Sequence, residues 1–270
     1  MRAAAAARRF HWRRMPEIRL LSLAALVFLY APLVVLIVYA FNANRLALIW
    51  SGVSVRWFIK ALGNDDLRRA AENSLIVAAV ATPVSTLLAV PAALAFERAR
   101  AFPARSAGEG LVALPLIAPE IVTAIATLVF FRAIGLDAGL GNVIVAHTVF
   151  CIPFALLPIR ARLREMPRDV EDAARDLYAS PWQVFARVTL PLLAPAIVAG
   201  ATLAFVVSLD DFLITLMVAP AGATTLPVYI YGMLRLGVTP EANAAATLLL
   251  GASVAAITVA TLAARRGRVG

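Results

Sequence analysis

A chain of 270 residues that is 62% hydrophobic, 15% charged and +9 in net charge is no soluble globular domain, since such domains hold about 25% charged residues. Its apolar residues run in long blocks rather than in alternating ten-residue strands, which excludes an outer-membrane barrel. The arginines are split among four short loops rather than gathered in one patch, so the positive charge is no nucleic-acid footprint.

In chain order, residues 1–19 form a basic, alanine-rich tail with Trp12, Arg13 and Arg14 near the headgroups, read as an orientation signal. Six apolar segments follow, at 20–41, 73–96, 111–131, 140–159, 196–218 and 242–264. Each is close to the roughly 20 residues that cross a bilayer core. The first is too long for a signal-peptide core and lacks a small-residue cleavage site, so it reads as an uncleaved span. The loop 42–72 holds a short surface helix over 54–62. Pro83 and Pro91 interrupt the second span, and Pro115 and Pro119 the third. Such interruptions are tolerated where neighbours or a cavity satisfy the freed backbone groups. The segment 219–241 is too polar at its ends to span, and 228–236 reads as a half-buried helix at the mouth of a pathway. Residues 265–270 form a short basic tail. Placing both termini inside puts 18 Lys and Arg on the inner side against 7 outside, as the positive-inside rule requires. The expected fold is an all-α membrane protein of six transmembrane helices with cytoplasmic termini.

Cys151, the one cysteine, lies inside the fourth span, which excludes a disulfide within the chain. His11 and His147 are read as unrelated packing residues. No P-loop, GxSxG or HExxH pattern occurs. The chain is therefore read as no enzyme and without a cofactor; if ATP drives it, another chain binds the nucleotide.

Between the fourth and fifth spans lies a charged stretch, 160–189. Glu171, Asp172, Ala173, Ala174, Arg175 and Leu177 suit a helix, and a break is expected near Tyr178 and Ala179. Ser180, Pro181 and Gln183 then form a capping box with proline at the first helical position. The second short helix is expected to end where Pro191 and Pro195 mark the return into the bilayer. Glu171, Asp172 and Asp176 offer carboxylates beside small alanines, a combination suited to docking in a groove of another protein.

This stretch resembles the EAA loop of ABC-importer permeases. Asp172-Ala173-Ala174 stands for its Glu-Ala-Ala, and Val188-Thr189-Leu190-Pro191 for its Ile-x-Leu-Pro. Tyr178 stands where the pattern has glycine. If that turn is left-handed, tyrosine costs roughly 1–2 kcal/mol there. Either the turn differs or Tyr178 fills a pocket on the partner. The resemblance covers about residues 70–264 and implies a type I permease whose coupling helix docks on a cytoplasmic ATPase dimer. It also implies a second permease chain in a heterodimer, an extracytoplasmic solute-binding protein, and residence in a bacterial inner membrane, in contact with lipid. The patches at 114–122, 208–218 and 224–248 are similar to the spermidine/putrescine branch, so a polyamine is the expected solute. Thiamine, ferric ion, a phosphonate or an opine are the rivals within this class. An ATP-independent secondary transporter and a non-transporting scaffold are the rivals outside it.

Glu120, Asp210 and Asp211 fall within spans, where an ionised carboxylate is expensive and marks a functional candidate. Asp210 and Asp211 are read as neighbours on one helix, about 100° apart, so only one points squarely into a pathway. Phe212, Tyr229 and Tyr231 offer cation–π faces to a polycation. The competing readings are an acid paired with Arg132 or Arg235 or capping a broken helix, and tyrosines that anchor at the interface.

Overall fold

A chain crossing hydrocarbon must satisfy its backbone groups internally, which leaves helices as the solution here. The computed structural model describes residues 16–45, 49–99, 103–237 and 239–266, and no strand forms among them beyond an isolated bridge between Asn42 and Val53. Most of the expected basic tail, together with Arg100 and Arg268, lies outside the described residues.

Twelve helices are described: α1 (Pro16–Ala40), α2 (Arg56–Leu62), α3 (Asp65–Glu97), α4 (Arg105–Ile117), α5 (Glu120–Ala133), α6 (Leu140–Glu165), α7 (Asp169–Asp176), α8 (Pro181–Val184), α9 (Leu190–Asp210), α10 (Leu213–Val218), α11 (Leu226–Arg235) and α12 (Pro240–Arg266). A π-helical turn, Phe185–Thr189, joins α8 to α9. Five helices are long and apolar enough to span, and α4 with α5, bent by 113° at the break between them, count as a sixth span when taken as one.

The centre of the molecule is a three-helix contact of α3, α6 and α9. Its buried surfaces are built largely of small residues, among them Ala89, Ala93, Ala155, Gly200 and Ala204. Small side chains let membrane helices approach closely where lipid supplies no hydrophobic drive. A methyl group at Gly200 would lie 2.5 Å from the Ala155 carbonyl oxygen, so α6 and α9 touch backbone to backbone there. By contrast, α1 packs mainly on α12 and leaves its apolar surface exposed.

Three spans depart from expectation at their ends. The second starts at Asp65, eight residues early, because Asn64 caps it by accepting from the backbone N–H groups of Asp66 and Leu67. The fifth starts at Pro181 rather than near 196, and the expected stop at Pro191 and Pro195 does not occur. Pro191 cannot donate to the Arg187 carbonyl four residues back. The π turn absorbs that defect: the Leu190 N–H reaches back to the Phe185 carbonyl, and the helix continues. At its far end the same span breaks after Asp210, since Asp211 takes an extended backbone with ψ 131°. Asp210 and Asp211 are therefore not neighbours on one helix. The third span breaks at Ala118 and Pro119, where both residues are extended. The expected surface helices are found as α2 and α11.

Candidate functional site

The two broken spans meet. Asp211 sits in the gap between α9 and α10, 5% exposed, and its carboxylate collects the free donors of the following turn. Oδ2 accepts from the Thr215 N–H and the Thr215 hydroxyl, each at 3.0 Å, and Oδ1 from the Ile214 N–H at 3.4 Å. From α6, His147 reaches the same point, 1% exposed. Its Nε2 lies 2.9 Å from Thr215 Oγ1 and 3.1 Å from Asp211 Oδ2, and its Nδ1 lies 2.8 Å from Ser208 Oγ. Because the Thr215 hydroxyl donates to Asp211, it receives the ring hydrogen, which puts that hydrogen on Nε2.

Glu120 opens α5 directly after the break in the third span, where a helix N-terminus favours a carboxylate. It is half-buried, at the broken end of α5, and α5 packs on α10, the helix that Asp211 caps. Acids gathered at one junction inside a span favour a positive charge near them, a proton or a cation such as ammonium. Asp210, the last residue of α9, is exposed. Phe212 packs on Tyr231 with ring centroids 4.6 Å apart, and the Arg235 guanidinium lies 5.8 Å from the Tyr231 ring. Tyr229 faces away from this group. Its hydroxyl accepts from Asn64 beside the Lys60–Glu241 ion pair, which closes at 2.6 Å.

Five of the six residues expected on a pathway thus lie at or near the breaks, and Tyr229 belongs to a separate outer cluster. Asp211 pairs with His147 rather than with Arg132 or Arg235. His147 is the residue that sequence reasoning passed over. The signal was available, because an ionisable side chain inside a span is a functional candidate whatever its sign.

At the other end of the molecule, α7 and α8 form the elbow expected over 160–189. Asp169, Glu171 and Asp172 occupy the first turn of α7 and favour its N-terminus. Glu171 corrects the sequence reading. It is 4% exposed and turned inward, accepting from Arg98 Nε at 3.2 Å and Thr189 Oγ1 at 3.1 Å. Arg98 also donates to the Met166 carbonyl at 3.0 Å. The carboxylates left on the outer surface of α7 belong to Asp169, Asp172, which pairs with Arg175, and Asp176. Ala173 is exposed and Ala174 half-buried. Tyr178 follows α7 with φ 61°, so the turn is left-handed, and the ring is 98% exposed. The capping box forms as expected: Ser180 Oγ accepts from the Gln183 N–H, and Gln183 Oε1 from the Ser180 N–H at 2.8 Å, with Pro181 at the first helical position. Leu177 and Trp182, near Tyr178 in the chain, are 82% and 71% exposed.

Ion pairs tie the inner ends of the spans to one another beside this elbow. Glu97, at the end of α3, takes Arg160 at 2.7 Å and Arg164 at 3.0 Å from α6. Arg160 extends to Glu109 of α4 at 3.1 Å. Through Arg98, Glu171 and Thr189, the connection runs from the foot of α3 across α7 to the foot of α9.

Residues 18–266 match the family described as binding-protein-dependent transport system inner membrane component. The chain is 39% identical over 245 residues to the putrescine transport system permease protein PotI of Escherichia coli K12, covering 88% of this chain and 87% of that one. It is 35% identical over 242 residues to the spermidine/putrescine transport system permease protein PotC of the same organism, covering 90% and 91%. Among solved structures, a bacterial ABC transporter involved in the import of the acidic polysaccharide alginate superposes with TM-score 0.72 at 19% identity, over 93% of this chain and 94% of that one. The inward-facing MetNI methionine ABC transporter gives 0.65 at 22% identity, over 74% and 95%. These likenesses establish the fold as that of ABC-importer permeases. The chain belongs to the family of binding-protein-dependent transport system inner membrane components and is a transport subunit of the inner membrane, not an enzyme.

Proposed function

We propose that this chain forms half of the translocation pathway of an ABC importer for a polyamine such as putrescine or spermidine. The observation that carries the reading is the gathering of two acids, Glu120 and Asp211, at the breaks of two spans whose halves α5 and α10 pack together. An alkyl ammonium supplies the positive charge that these acids favour, and Phe212, next in the chain to Asp211, offers an aromatic face for a cation. Asp210 offers a further exposed carboxylate one residue before Asp211. The likeness to PotI and PotC points the same way. An anionic cargo such as a phosphonate would meet like charge at this point and is disfavoured.

The partners of this reading are a second permease chain, two ATPase subunits and a solute-binding protein. Residues 20–264 form the permease domain between basic tails, 1–19 and 265–270, with both termini and the α7–α8 elbow on the cytoplasmic side. The elbow docks on the ATPase through Asp172, Ala173, Ala174, Asp176, Tyr178, Ser180 and Pro181, while Glu171 carries its displacement inward to Arg98 and Thr189. ATP-driven closure biases the permease only by as much as the ATPase surface binds the two conformations differently.

The test is uptake of labelled putrescine by cells or proteoliposomes carrying the whole complex. Glu120→Gln and Asp211→Asn are expected to lower uptake about tenfold or more, as loss of a charge-assisted contact would. Asp210→Asn should lower it less, and the amount of protein in the membrane should be unchanged for all three. Wild-type uptake by both Glu120→Gln and Asp211→Asn would defeat the polyamine reading.

A further inference from the structure

We propose that His147 is a positioning residue for the solute site: it clamps the two sides of the fifth-span break and fixes the Asp211 carboxylate there. The proposal depends on the polyamine reading for the identity of the solute, and on the structure alone for the clamp.

A break inside a span survives only where its freed backbone groups find other partners. Asp211 provides them on the α10 side through the N–H groups of Ile214 and Thr215. Nothing in that local turn fixes where the carboxylate stands relative to the α9 side. His147 does. One rigid ring reaches Ser208 before the break and Thr215 after it, at 2.8 and 2.9 Å, and its Nε2 faces Asp211 Oδ2 at 3.1 Å. The ring is carried by α6, which packs along both α3 and α9. The orientation of Asp211 is therefore referred to the central helices rather than to the flexible gap. Both ring nitrogens are engaged, and His147, Ser208, Asp211 and Thr215 are all buried. Losing one arm leaves a buried polar group unmatched, a penalty felt by the geometry of the site as well as by stability.

The two arms can be removed separately. His147→Gln keeps an N–H that reaches Thr215 and Asp211. His147→Asn keeps a group near Nδ1 for Ser208 and loses the Nε2 arm. His147→Leu loses both. The assembled importer in proteoliposomes should show KM for putrescine raised about tenfold in the Asn and Leu variants, with kcat within about threefold of wild type. The Gln variant, which gives up only the Ser208 arm, should fall between wild type and Leu. A second readout needs no solute. Cys151, the one cysteine of the chain, is buried one helical turn from His147, with its Sγ 3.5 Å from the Ala204 carbonyl of α9. Loosening the clamp should raise its rate of maleimide labelling in the same order, Gln below Asn and Leu. A Leu variant with wild-type KM and wild-type labelling overturns the proposal. So does a Gln variant as damaged as Leu, or one absent from the membrane. If the wild-type complex takes up no amine while the labelling order holds, the polyamine reading falls and the clamp stands.

Discussion

Tyr178 holds a backbone conformation that costs a tyrosine about 1–2 kcal/mol, and its ring makes little contact with its own chain. The fold gains nothing visible from it, and Leu177 and Trp182 are exposed as well. On the proposed docking of the elbow to an ATPase, these three side chains are its apolar anchors. Tyr178→Asn keeps the left-handed turn, because asparagine tolerates it, and removes the ring. That variant should bind the ATPase about tenfold more weakly in a pull-down titration, with unchanged thermal stability, while Tyr178→Phe binds normally. Equal binding by the Asn variant would show that the ring contributes nothing. Glu171 is the opposite case at this scale. Its position beside Asp172 suggests a surface carboxylate, yet helical geometry turns it to the face that meets Arg98, about 100° away from its neighbour.

At the scale of elements, the spans are shaped by their defects. Pro191 is absorbed by a π turn, Pro119 ends α4 and starts α5 at a steep angle, and Asp211 caps the helix after its own break. The unbroken parts depend on close contact instead. Gly200→Ala would drive a methyl group to 2.5 Å from the Ala155 carbonyl oxygen. The backbone cannot yield as a side chain would, so α6 and α9 must move apart, at a cost of about 1–3 kcal/mol. A fall in the melting temperature of the detergent-solubilised protein is the expected result. Gly232, whose added methyl group would meet nothing within 4 Å, makes the control, since Gly232→Ala should leave it unchanged.

Across the whole molecule, Asp211 and the elbow lie at opposite ends of α9, and Arg98, Glu171 and Thr189 join the elbow to the feet of α3 and α9, which on the proposed function makes them the path of its displacement. Breaking a buried ion pair from one side costs about 3–5 kcal/mol, so Arg98→Ala tests folding and transmission together. Glu171→Gln is the milder probe, because an amide still accepts from Thr189. In that variant the ATPase should remain bound, while the ATP hydrolysed per solute imported rises severalfold. An unchanged ratio would mean that the elbow drives the spans by another route.

The hydropathy profile was enough to announce a six-crossing helical protein, and the run of Ser180, Pro181 and Gln183 announced the start of α8. Both are local properties: transfer into lipid adds up residue by residue, and a cap is closed by side chains three positions apart. The elbow and the three acids were legible for the same reason. Packing alone decided that Glu171 turns inward, that Asp210 and Asp211 part company at a break, that Tyr229 leaves the aromatic group, and that His147 joins the site. Those outcomes depend on which face of each helix meets α3, α6 or α9, and contacts between residues 61 or 73 positions apart leave no periodic trace in a sequence.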